Sequence, residues 1–310
     1  GGMSATFSVE ASNDSMDALS VTVLDTVTDV HGNILATEPT VIEPVDTVNP
    51  EVVAISSNFA DIENDGVVSD SDFIVDYAVG FSEPIPGMGG QDIDVSGGSL
   101  VPGSVVVAEG GMSATFSVEA SNDSMDALSV TVLDTVTDVH GNFLAETATS
   151  QPEAVDTVNP TVDYITTNFA DIENDGVVSD SDPVVTYTVG FSEPVVPVGA
   201  VGSEDISVDG GSLVPESVVL AEDGLSATFD VTADDASMAG LTVTILGTTI
   251  ADVHGNMFSQ PETSDPEVVD TVNPTVVAIS SSFADIESDG VVSDSDPVVD
   301  YQVSFSEPIP

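Results

Sequence analysis

The chain has 310 residues, of which 55 are Asp or Glu and none is Lys or Arg, so its formal net charge is −55. Nucleic acids and anionic membrane surfaces are excluded as partners, because proteins hold both through Lys and Arg side chains. Only cations from solution can offset this charge. Hydrophobic residues nevertheless make up 41% of the chain, which is enough to build packed cores.

The chain contains no Cys, so it has neither disulfide bonds nor thiolate metal sites. A secreted domain of this kind needs another cross-link, and bound calcium is the substitute that we expect. There is no long apolar run and no basic, apolar leader, so the sequence predicts neither a transmembrane helix nor a signal peptide.

Internal repeats set the domain organisation. Residues 1–33 recur unchanged at 110–142, and the motif DTVNP begins at Asp46, Asp156 and Asp270, at spacings of 110 and 114 residues. Such a spacing is the length of one ordinary domain. Pro- and Glu-bearing stretches before Asp46 and Asp270 are predicted linkers. The predicted segments are the later part of a repeat at 1–45, complete repeats at 46–155 and 156–269, and the first part of a repeat at 270–310.

Within a repeat, apolar and polar residues alternate, which is typical of β-strands. The predicted inner faces come from FIVDYAVGF at 73–81, SATFSVEA at 113–120 and LSVTVLDTV at 128–136. The first places Phe73, Val75, Tyr77, Val79 and Phe81 on one face. No stretch of ten residues shows a helical period. The sequence therefore predicts an all-β fold with about seven short strands per repeat in a sandwich.

An acidic stretch follows the first predicted strand of each repeat. FADIENDGVVSDSD at 59–72 returns at 169–182 and, with one change, at 283–296. From Asp61 it fits the spacing of an EF-hand calcium loop, with Gly66 where the chain must turn sharply. Two departures are Glu at position 3 and Asp at position 12, and the shorter acid at position 12 puts the usual bidentate contact in doubt. The flanking segments are strands, so we expect a calcium loop without EF-hand helices.

Oxygen ligands without His or Cys favour Ca²⁺, or less strongly Mg²⁺, over a transition metal. The predicted ligands, with Val contributing its backbone carbonyl, are Asp61, Glu63, Asp65, Val67, Ser69, Asp72, Asp171, Glu173, Asp175, Val177, Ser179, Asp182, Asp285, Glu287, Asp289, Val291, Ser293 and Asp296. The alternative is a solvated acidic turn. Carboxylates about 5 Å apart repel by roughly 1 kcal/mol per pair in water and about 3 kcal/mol at an effective dielectric of 20, which favours a bound cation.

Other polar residues carry weaker signals. Asp46, Asp156 and Asp270 are either calcium ligands at the linkers or turn and cap residues. The three histidines stand in DVHGN motifs, where a turn is favoured over a metal or catalytic role. No Ser, His and Asp grouping has the surrounding motif that acyl transfer requires, so we predict no catalytic site and no enzyme.

Several motifs together resemble a known family. FSEPI at 81–85, FSEPV at 191–195, the segment that ends in DVHGN, and the opener DTVNPTV resemble the tandem Ig-like repeats of large, secreted, calcium-dependent bacterial adhesins. The resemblance implies Greek-key sandwiches in an elongated array, at the cell surface or outside the cell. It also implies that the repeats are extenders, stiffened by calcium, which hold a distant binding domain away from the cell.

Two other functions remain open. Exposed loops such as IPGMGGQDI could bind a glycan or another copy of the protein, and the chain could be an accessory part of a secreted enzyme. Near-identity of the repeats favours the spacer. In such an array each acidic loop faces the DVHGN and FSEP turns of the next repeat. Neighbouring repeats are the expected partners, and the chain is predicted to be monomeric apart from association of its incomplete terminal repeats.

Overall fold

A computed structural model describes residues 2–59, 66–169, 176–197, 204–282, 291–294 and 297–309. It divides into two compact units. Unit 1 comprises Gly1–Val158 with His254–Asn256, and unit 2 comprises Asn159–Val253 with Met257–Pro310. Within the described ranges, no helix is both long enough and apolar enough to cross a membrane.

Unit 1 is built from short strands. Its described strands are β1 (Leu19–Thr22), β2 (Thr40–Glu43), β3 (Val52–Ser57), β4 (Ile74–Phe81), β5 (Ile93–Ser96), β6 (Gly98–Leu100), β7 (Val106–Val107), β8 (Ser113–Ala120), β9 (Ser129–Val132) and β10 (Ala148–Thr149). One antiparallel sheet has the order β3-β4-β8-β6, with β7 also paired to β8. A second has the order β10-β9-β5, and β1 pairs with β2.

The core of unit 1 joins the inner faces of these two larger sheets. Tyr77 of β4 lies opposite Phe116 of β8, and their rings stack with centroids 5.8 Å apart. From the second sheet, Val130 and Val132 of β9 are fully buried. The predicted alternation and the all-β sandwich class are thus confirmed. Phe73 differs, since it precedes β4 and is 39% exposed, because the inward alternation begins only once the chain enters the ladder.

Unit 2 repeats this plan. Its described strands are β11 (Val162–Thr167), β12 (Val178–Ser179), β13 (Val184–Phe191), β14 (Val195–Pro197), β15 (Ile206–Asp209), β16 (Gly211–Leu213), β17 (Val219–Leu220), β18 (Ser226–Ala233), β19 (Thr242–Ile245), β20 (Ile250–Asp252), β21 (Glu262–Thr263), β22 (Val269–Asp270), β23 (Val276–Ser281) and β24 (Tyr301–Phe305). The main sheet has the order β11-β13-β18-β16, with β17 also on β18, and it faces the sheet β15-β19-β21.

The remaining pairs of unit 2 are two-stranded. β14 pairs with β20 and β23 pairs with β24, both antiparallel, whereas β12 and β22 run parallel. In the core, Tyr187 stacks on Phe229 with ring centroids 5.7 Å apart. Two-residue strands such as β12 and β22 carry no alternation of their own. Their partners define them, which is why the sequence pattern does not predict them.

Candidate metal centre

The predicted calcium loops lie only partly within the described residues. The predicted ligands outside them are Asp61, Glu63, Asp65, Asp171, Glu173, Asp175, Asp285, Glu287, Asp289 and Asp296. The described ones are Val67, Ser69, Asp72, Val177, Ser179, Asp182, Val291 and Ser293. The three loop sites therefore stay a prediction.

The described end of the first loop is tied to the segment that leaves the same repeat. Gly66 has φ of +79°, the left-handed conformation expected at the sharp turn. Val68 is fully buried and forms a parallel bridge with Val155. The Val68 N–H donates to the Ala154 carbonyl at 2.9 Å, and the Asp156 N–H donates to the Val68 carbonyl at 2.9 Å. The loop end is therefore held beside the Asp that opens the following repeat.

Two described predicted ligands, Ser69 and Asp72, form a compact turn. Ser69 is fully buried, and its hydroxyl oxygen lies 2.9 Å from that of Ser71. The Asp72 N–H donates to the Ser69 carbonyl at 3.0 Å. The same contacts recur in the second loop, between Ser179 and its neighbours. The loop ends thus have a defined geometry that does not depend on the sequence resemblance.

Three carboxylates from separate parts of unit 1 converge in what we term the linker cluster: Asp46, Glu83 and Asp138. Asp46 precedes β3, Glu83 lies in the FSEP turn after β4, and Asp138 begins the DVHGN turn between β9 and β10. One oxygen of each carboxylate lies within 4.8 Å of the other two. A Ca²⁺ ion, which takes oxygen ligands at about 2.3–2.6 Å, spans such a distance.

Asp138 is fixed by the turn that it begins. It is 2% exposed, and its Oδ1 accepts the backbone N–H groups of His140 and Asn142, each at 2.8 Å. Its Oδ2 accepts the side-chain amide of Asn142 at 2.8 Å. Burial raises the pKa of Asp138, but these hydrogen bonds and one from the Gly141 N–H outweigh burial and leave the pKa below its usual value. Asp138 is therefore an ionised and preoriented carboxylate that could serve as a metal ligand.

The surroundings of Glu83 shift its pKa upward, in the opposite direction to that of Asp138. Its Oε1 is buried and has no hydrogen-bond partner in the part of the chain that the structure describes. Burial raises the pKa of Glu83, the charges of Asp138 and Asp46 raise it further, and His140 lowers it. A buried carboxylate oxygen that faces two other carboxylates is stabilised by a cation or by a proton. The donor set contains only oxygen, which suits Ca²⁺ or Mg²⁺.

Asp46 and His140 meet at the edge of the linker cluster. The His140 Nε2 lies 3.7 Å from the Asp46 Oδ2, and the His140 side chain is 58% exposed. The Asp46 Oδ1 also accepts the N–H of Val48 at 3.2 Å. Asp46 is therefore a turn residue, which is one of the two interpretations that the sequence allows, and it also lies in the linker cluster. Its role as a calcium ligand stays a prediction. The DVHGN turn at His140 agrees with the predicted role of that motif.

The residue after Asp46 anchors the linker to the preceding segment. The Thr47 hydroxyl donates to the Ser12 carbonyl at 2.6 Å and accepts the Ser15 N–H at 3.0 Å. The Thr47 N–H also donates to the Ser15 carbonyl at 3.0 Å. Equivalent contacts join Thr157 to Ser121 and Ser124, and Thr271 to Asp234 and Ser237. Adjacent residues of DTVNP thus bind the segment before the linker and the repeat after it.

Sequence analysis alone does not identify Glu83, Asp138 or Thr47 as site residues. A usable signal exists, because FSEP, DVHGN and DTVNP recur together. The counterparts of Asp46, Glu83 and Asp138 by repeat position are Asp156, Glu193 and Asp252. The sequence predicts that calcium in an acidic loop faces the FSEP and DVHGN turns of the next repeat, and these two motifs supply Glu83 and Asp138 of the cluster. The position of the ion stays a prediction. The sequence does not supply the ligand set, which depends on how the turns fold together.

Comparison with known proteins gives limited similarity. No protein-family model and no curated protein matches the chain. Among solved structures, the chain is similar to "Structure of surface layer protein SbsC, domains 1-6", with 14% identity and a TM-score of 0.23 over 76% of this chain and 42% of that chain. "Structure of surface layer protein SbsC, domains 4-9" gives 13% identity and a TM-score of 0.18 over 80% of this chain and 36% of that chain. The chain thus spans about two fifths of those structures.

Proposed function

We propose that the chain is a structural spacer of a bacterial cell-surface or secreted adhesin, in which calcium stiffens the joints between successive β-sandwich repeats. The linker cluster is the observation that carries this proposal. Asp46 opens the repeat 46–155 directly after the predicted linker, whereas Glu83 and Asp138 lie in turns farther along the same repeat. A cation bound by all three carboxylates fixes the linker against that repeat.

Thr47 supports the same role from the other side of the joint. Its hydrogen bonds hold the linker to the turn at Ser12 and Ser15, which belongs to the preceding segment. A cation at Asp46 therefore acts one residue away from an existing anchor. Together, a cation at Asp46 and the hydrogen bonds of Thr47 limit the motion of the joint relative to the segment before it and to the repeat after it. A stiff spacer requires this restriction.

Composition supports an external cation rather than an internal counter-charge. The chain has 55 acidic residues, no Lys or Arg, and no Cys from which to form disulfides. Calcium outside cells is abundant enough to occupy sites of modest affinity, about 10⁻⁴–10⁻³ M in extracellular modules. We therefore propose that the protein acts outside the cell and has a mechanical role rather than a catalytic one. The acidic loops are proposed as additional calcium sites.

Thermal unfolding with and without calcium tests the proposal. For a site with a dissociation constant of about 10⁻⁴ M, about 10 mM Ca²⁺ raises the free energy of unfolding by roughly 2.7 kcal/mol. We expect a clear rise in Tm when chelator is replaced by calcium, and a smaller rise with equal Mg²⁺. An unchanged Tm would rule out the calcium proposal.

Glu83→Gln tests the linker cluster separately. The substitution keeps the shape of the side chain and removes a charge that the fold disfavours, so stability in chelator should stay equal or rise. Calcium binding at the cluster should weaken at least tenfold, measured by titration calorimetry. Glu109→Gln is the matched control, because Glu109 is an exposed acid of the same repeat outside the cluster. Identical calcium titrations for both variants would contradict the assignment.

The acidic loops need their own variant. Replacing Asp171, Glu173 and Asp175 together by Asn, Gln and Asn should remove the single calcium site predicted in the loop at 169–182 while leaving the linker cluster of unit 1 intact. Calorimetry then separates the two classes of site by stoichiometry. If only Glu83→Gln reduces the number of bound ions, the loops are solvated acidic turns.

A further inference from the structure

The turn after β8 contains an acceptor motif for asparagine-linked glycosylation. Asn122, Asp123 and Ser124 form Asn-x-Ser, with a residue other than Pro in the middle. Asn122 is exposed, and within the described ranges its side chain makes no hydrogen bond. The same three residues recur at 13–15, where the Asn is also exposed. A sugar on Asn122 would therefore break no hydrogen bond of the fold.

The conformation of this turn depends on Ser124 and not on Asn122. The Ser124 N–H donates to the Thr157 hydroxyl oxygen at 3.0 Å, and the Thr157 N–H donates to the Ser124 carbonyl at 3.0 Å. The Ser124 hydroxyl oxygen accepts the Asp126 N–H at 3.0 Å. Folding therefore explains the Ser of the motif, whereas the hydrogen bonds of the turn do not explain the Asn.

Unit 2 forms the same turn without the Asn. Its counterpart by repeat position is Asp-Ala-Ser at 235–237. The Ser237 N–H donates to the Thr271 hydroxyl oxygen at 2.9 Å, and the Ser237 hydroxyl oxygen accepts the Ala239 N–H at 3.0 Å. The middle residues of the two turns are both left-handed, with φ of +55° and +51°. Because the turn forms with Asp in place of Asn, the Asn at 122 has another reason.

A cleft of about 370 Å³ lies beside Asn122, which is within the roughly 300–1,000 Å³ range of ligand-binding clefts. It is lined by Asp70, Phe73, Glu119, Ala120, Asn122 and Thr157. Phe73 is 39% exposed and lies outside the core of unit 1. Its ring offers a flat apolar surface on which the C–H face of a sugar can pack. The carboxylates of Asp70 and Glu119 can accept hydrogen bonds from sugar hydroxyls.

The cleft residues and the glycosylation motif differ together between the two units. By repeat position, unit 2 has Pro183 in place of Phe73 and Thr232 in place of Glu119. The unit with the Asn therefore has the aromatic ring and the second carboxylate, and the unit without the Asn has neither. These three differences have one explanation in common, which is a sugar attached to the Asn and held in the cleft.

We infer that Asn122 carries an N-linked glycan whose first sugar lies in this cleft against Phe73. In the transfer step, the Asn122 Nδ2 attacks the anomeric carbon of a sugar diphosphate donor held by a glycosyltransferase of the producing cell. A bond forms between nitrogen and the anomeric carbon, and the bond from that carbon to the phosphate oxygen breaks. The diphosphate leaves with the electron pair, and a base of the transferase takes one amide proton. The step needs no calcium, so its test is independent of the proposed calcium sites.

Site-resolved mass spectrometry of the protein from the cells that naturally produce it tests the modification. We expect a glycan on the peptide that contains Asn122. The peptide with Asp235 should carry none, and neither should Asn142, which is followed by Phe and Leu and so lacks the motif. An unmodified Asn122 in the natural protein would overturn the inference.

Thermal unfolding tests the place of the sugar. Coexpression of the full chain with a transferase that moves glucose from UDP-glucose to Asn-x-Ser gives a glucosylated chain, and expression alone gives the unmodified one. Asn13→Gln in every chain leaves one acceptor, Asn122. Glucose should raise the Tm by about 2 °C or more. Phe73→Ala should still accept glucose but lose this rise, whereas the neighbouring Ile74→Ala, which is 42% exposed and does not line the cleft, should keep it.

A new motif in unit 2 completes the comparison. Asp235→Asn, combined with Asn122→Gln, creates Asn-Ala-Ser on a turn whose repeat has Pro183 in place of the aromatic ring. This chain should accept glucose without a rise in Tm. An equal rise for this chain and for the chain glucosylated at Asn122, or an undiminished rise in Phe73→Ala, would show that the sugar does not pack in the cleft. Absence of glucose on Asn122 after coexpression would show that it is not an acceptor.

Discussion

Tyr77 and Tyr187 each bury a phenol in the core of their own unit. They are 1% and 0% exposed, and each ring stacks on a Phe of the neighbouring strand. Neither hydroxyl has a hydrogen-bond partner in the described structure. Burial, followed by the charges of Glu153 and Glu267, raises the pKa of the two phenols to about 12, and nearby Ser150 and Ser264 offset part of that rise. The rings stabilise the core by packing, whereas the buried hydroxyls lower the stability because they make no hydrogen bond.

Removal of a hydroxyl at either position should therefore leave stability unchanged or higher. Tyr77→Phe and Tyr187→Phe keep the stacked ring and remove a buried group that makes no hydrogen bond, so we expect a gain of up to about 1 kcal/mol in the free energy of unfolding. Chemical denaturation in calcium at pH 7 measures it. A loss above about 1 kcal/mol would show that the hydroxyls are hydrogen-bonded.

Alkaline pH separates the same variants further. The unfolded phenol ionises near pH 10, whereas the folded one holds its proton until about pH 12. The unfolded state thus loses protons first, and stability falls as pH rises from about 10 towards 12. The double variant with both Tyr→Phe changes should lose less stability over this range than the wild type. Parallel curves would contradict the raised pKa values.

For single residues, the sequence predicts burial and backbone conformation where these depend on spacing within one short motif. Val75, Tyr77 and Val79 are buried as the alternation indicates, and Gly66 takes the left-handed conformation of the predicted turn. Glu83 is different. Its neighbours in the linker cluster are 37 and 55 residues away in sequence, and its only local signal is membership of a recurring motif. Long-range convergence of turns is a property of packing, which spacing within one motif does not encode.

Short strands at the sheet edges depend on close backbone approach. Gly97, between β5 and β6, has φ of +75°, and a Cβ added there would lie 2.3 Å from the Ala127 carbonyl oxygen. Gly103 has nearly the same φ, +77°, but open space around it. The two positions share backbone conformation and differ in steric contact.

Substitution by Ala should reveal that difference. Gly103→Ala carries only the conformational cost of a left-handed residue, about 1–2 kcal/mol. Gly97→Ala carries the same cost plus a backbone clash, so β5 and β6 must shift and the loss should be at least 1 kcal/mol larger. Urea unfolding of the two variants compares them directly. Equal losses would show that the chain near Ala127 relaxes freely.

The sequence predicts long strands better than short ones, because alternation of apolar and polar residues needs several residues to show. The eight-residue strands β4 and β8 alternate over enough residues to define a face. β6, β7 and β10 have two or three residues, and each exists because a longer neighbour supplies hydrogen bonds. The first complete repeat accordingly has eight described strands instead of about seven.

Charge dominates the behaviour of the whole molecule. A net charge of −55 with no Lys or Arg makes compaction of the chain unfavourable at low ionic strength. Screening by salt reduces this repulsion, and calcium at the proposed sites would neutralise part of the negative charge directly. The distribution of this charge along the chain can be predicted from the sequence, because the same acidic motifs recur in each repeat.

Salt should therefore stabilise the calcium-free protein more than the calcium-bound one. Raising NaCl from about 0.05 M to about 1 M shortens the screening length to roughly 3 Å. We expect Tm in chelator to rise by several degrees, and Tm in about 10 mM Ca²⁺ to rise by less. Differential scanning calorimetry measures both. An equal or larger rise with calcium would mean that carboxylate repulsion does not limit stability.

The parallel pairing of β12 with β22 has a mechanical consequence. β12 lies near the start of its repeat and β22 at its end, and Val178 and Ser179 pair with Val269 and Asp270. Tension applied to the chain on both sides of the repeat pulls these two strands in opposite directions along their length. Their hydrogen bonds are then loaded in shear, so they must break together rather than one after another. A pulling force thus meets its resistance at the point where the chain leaves the repeat.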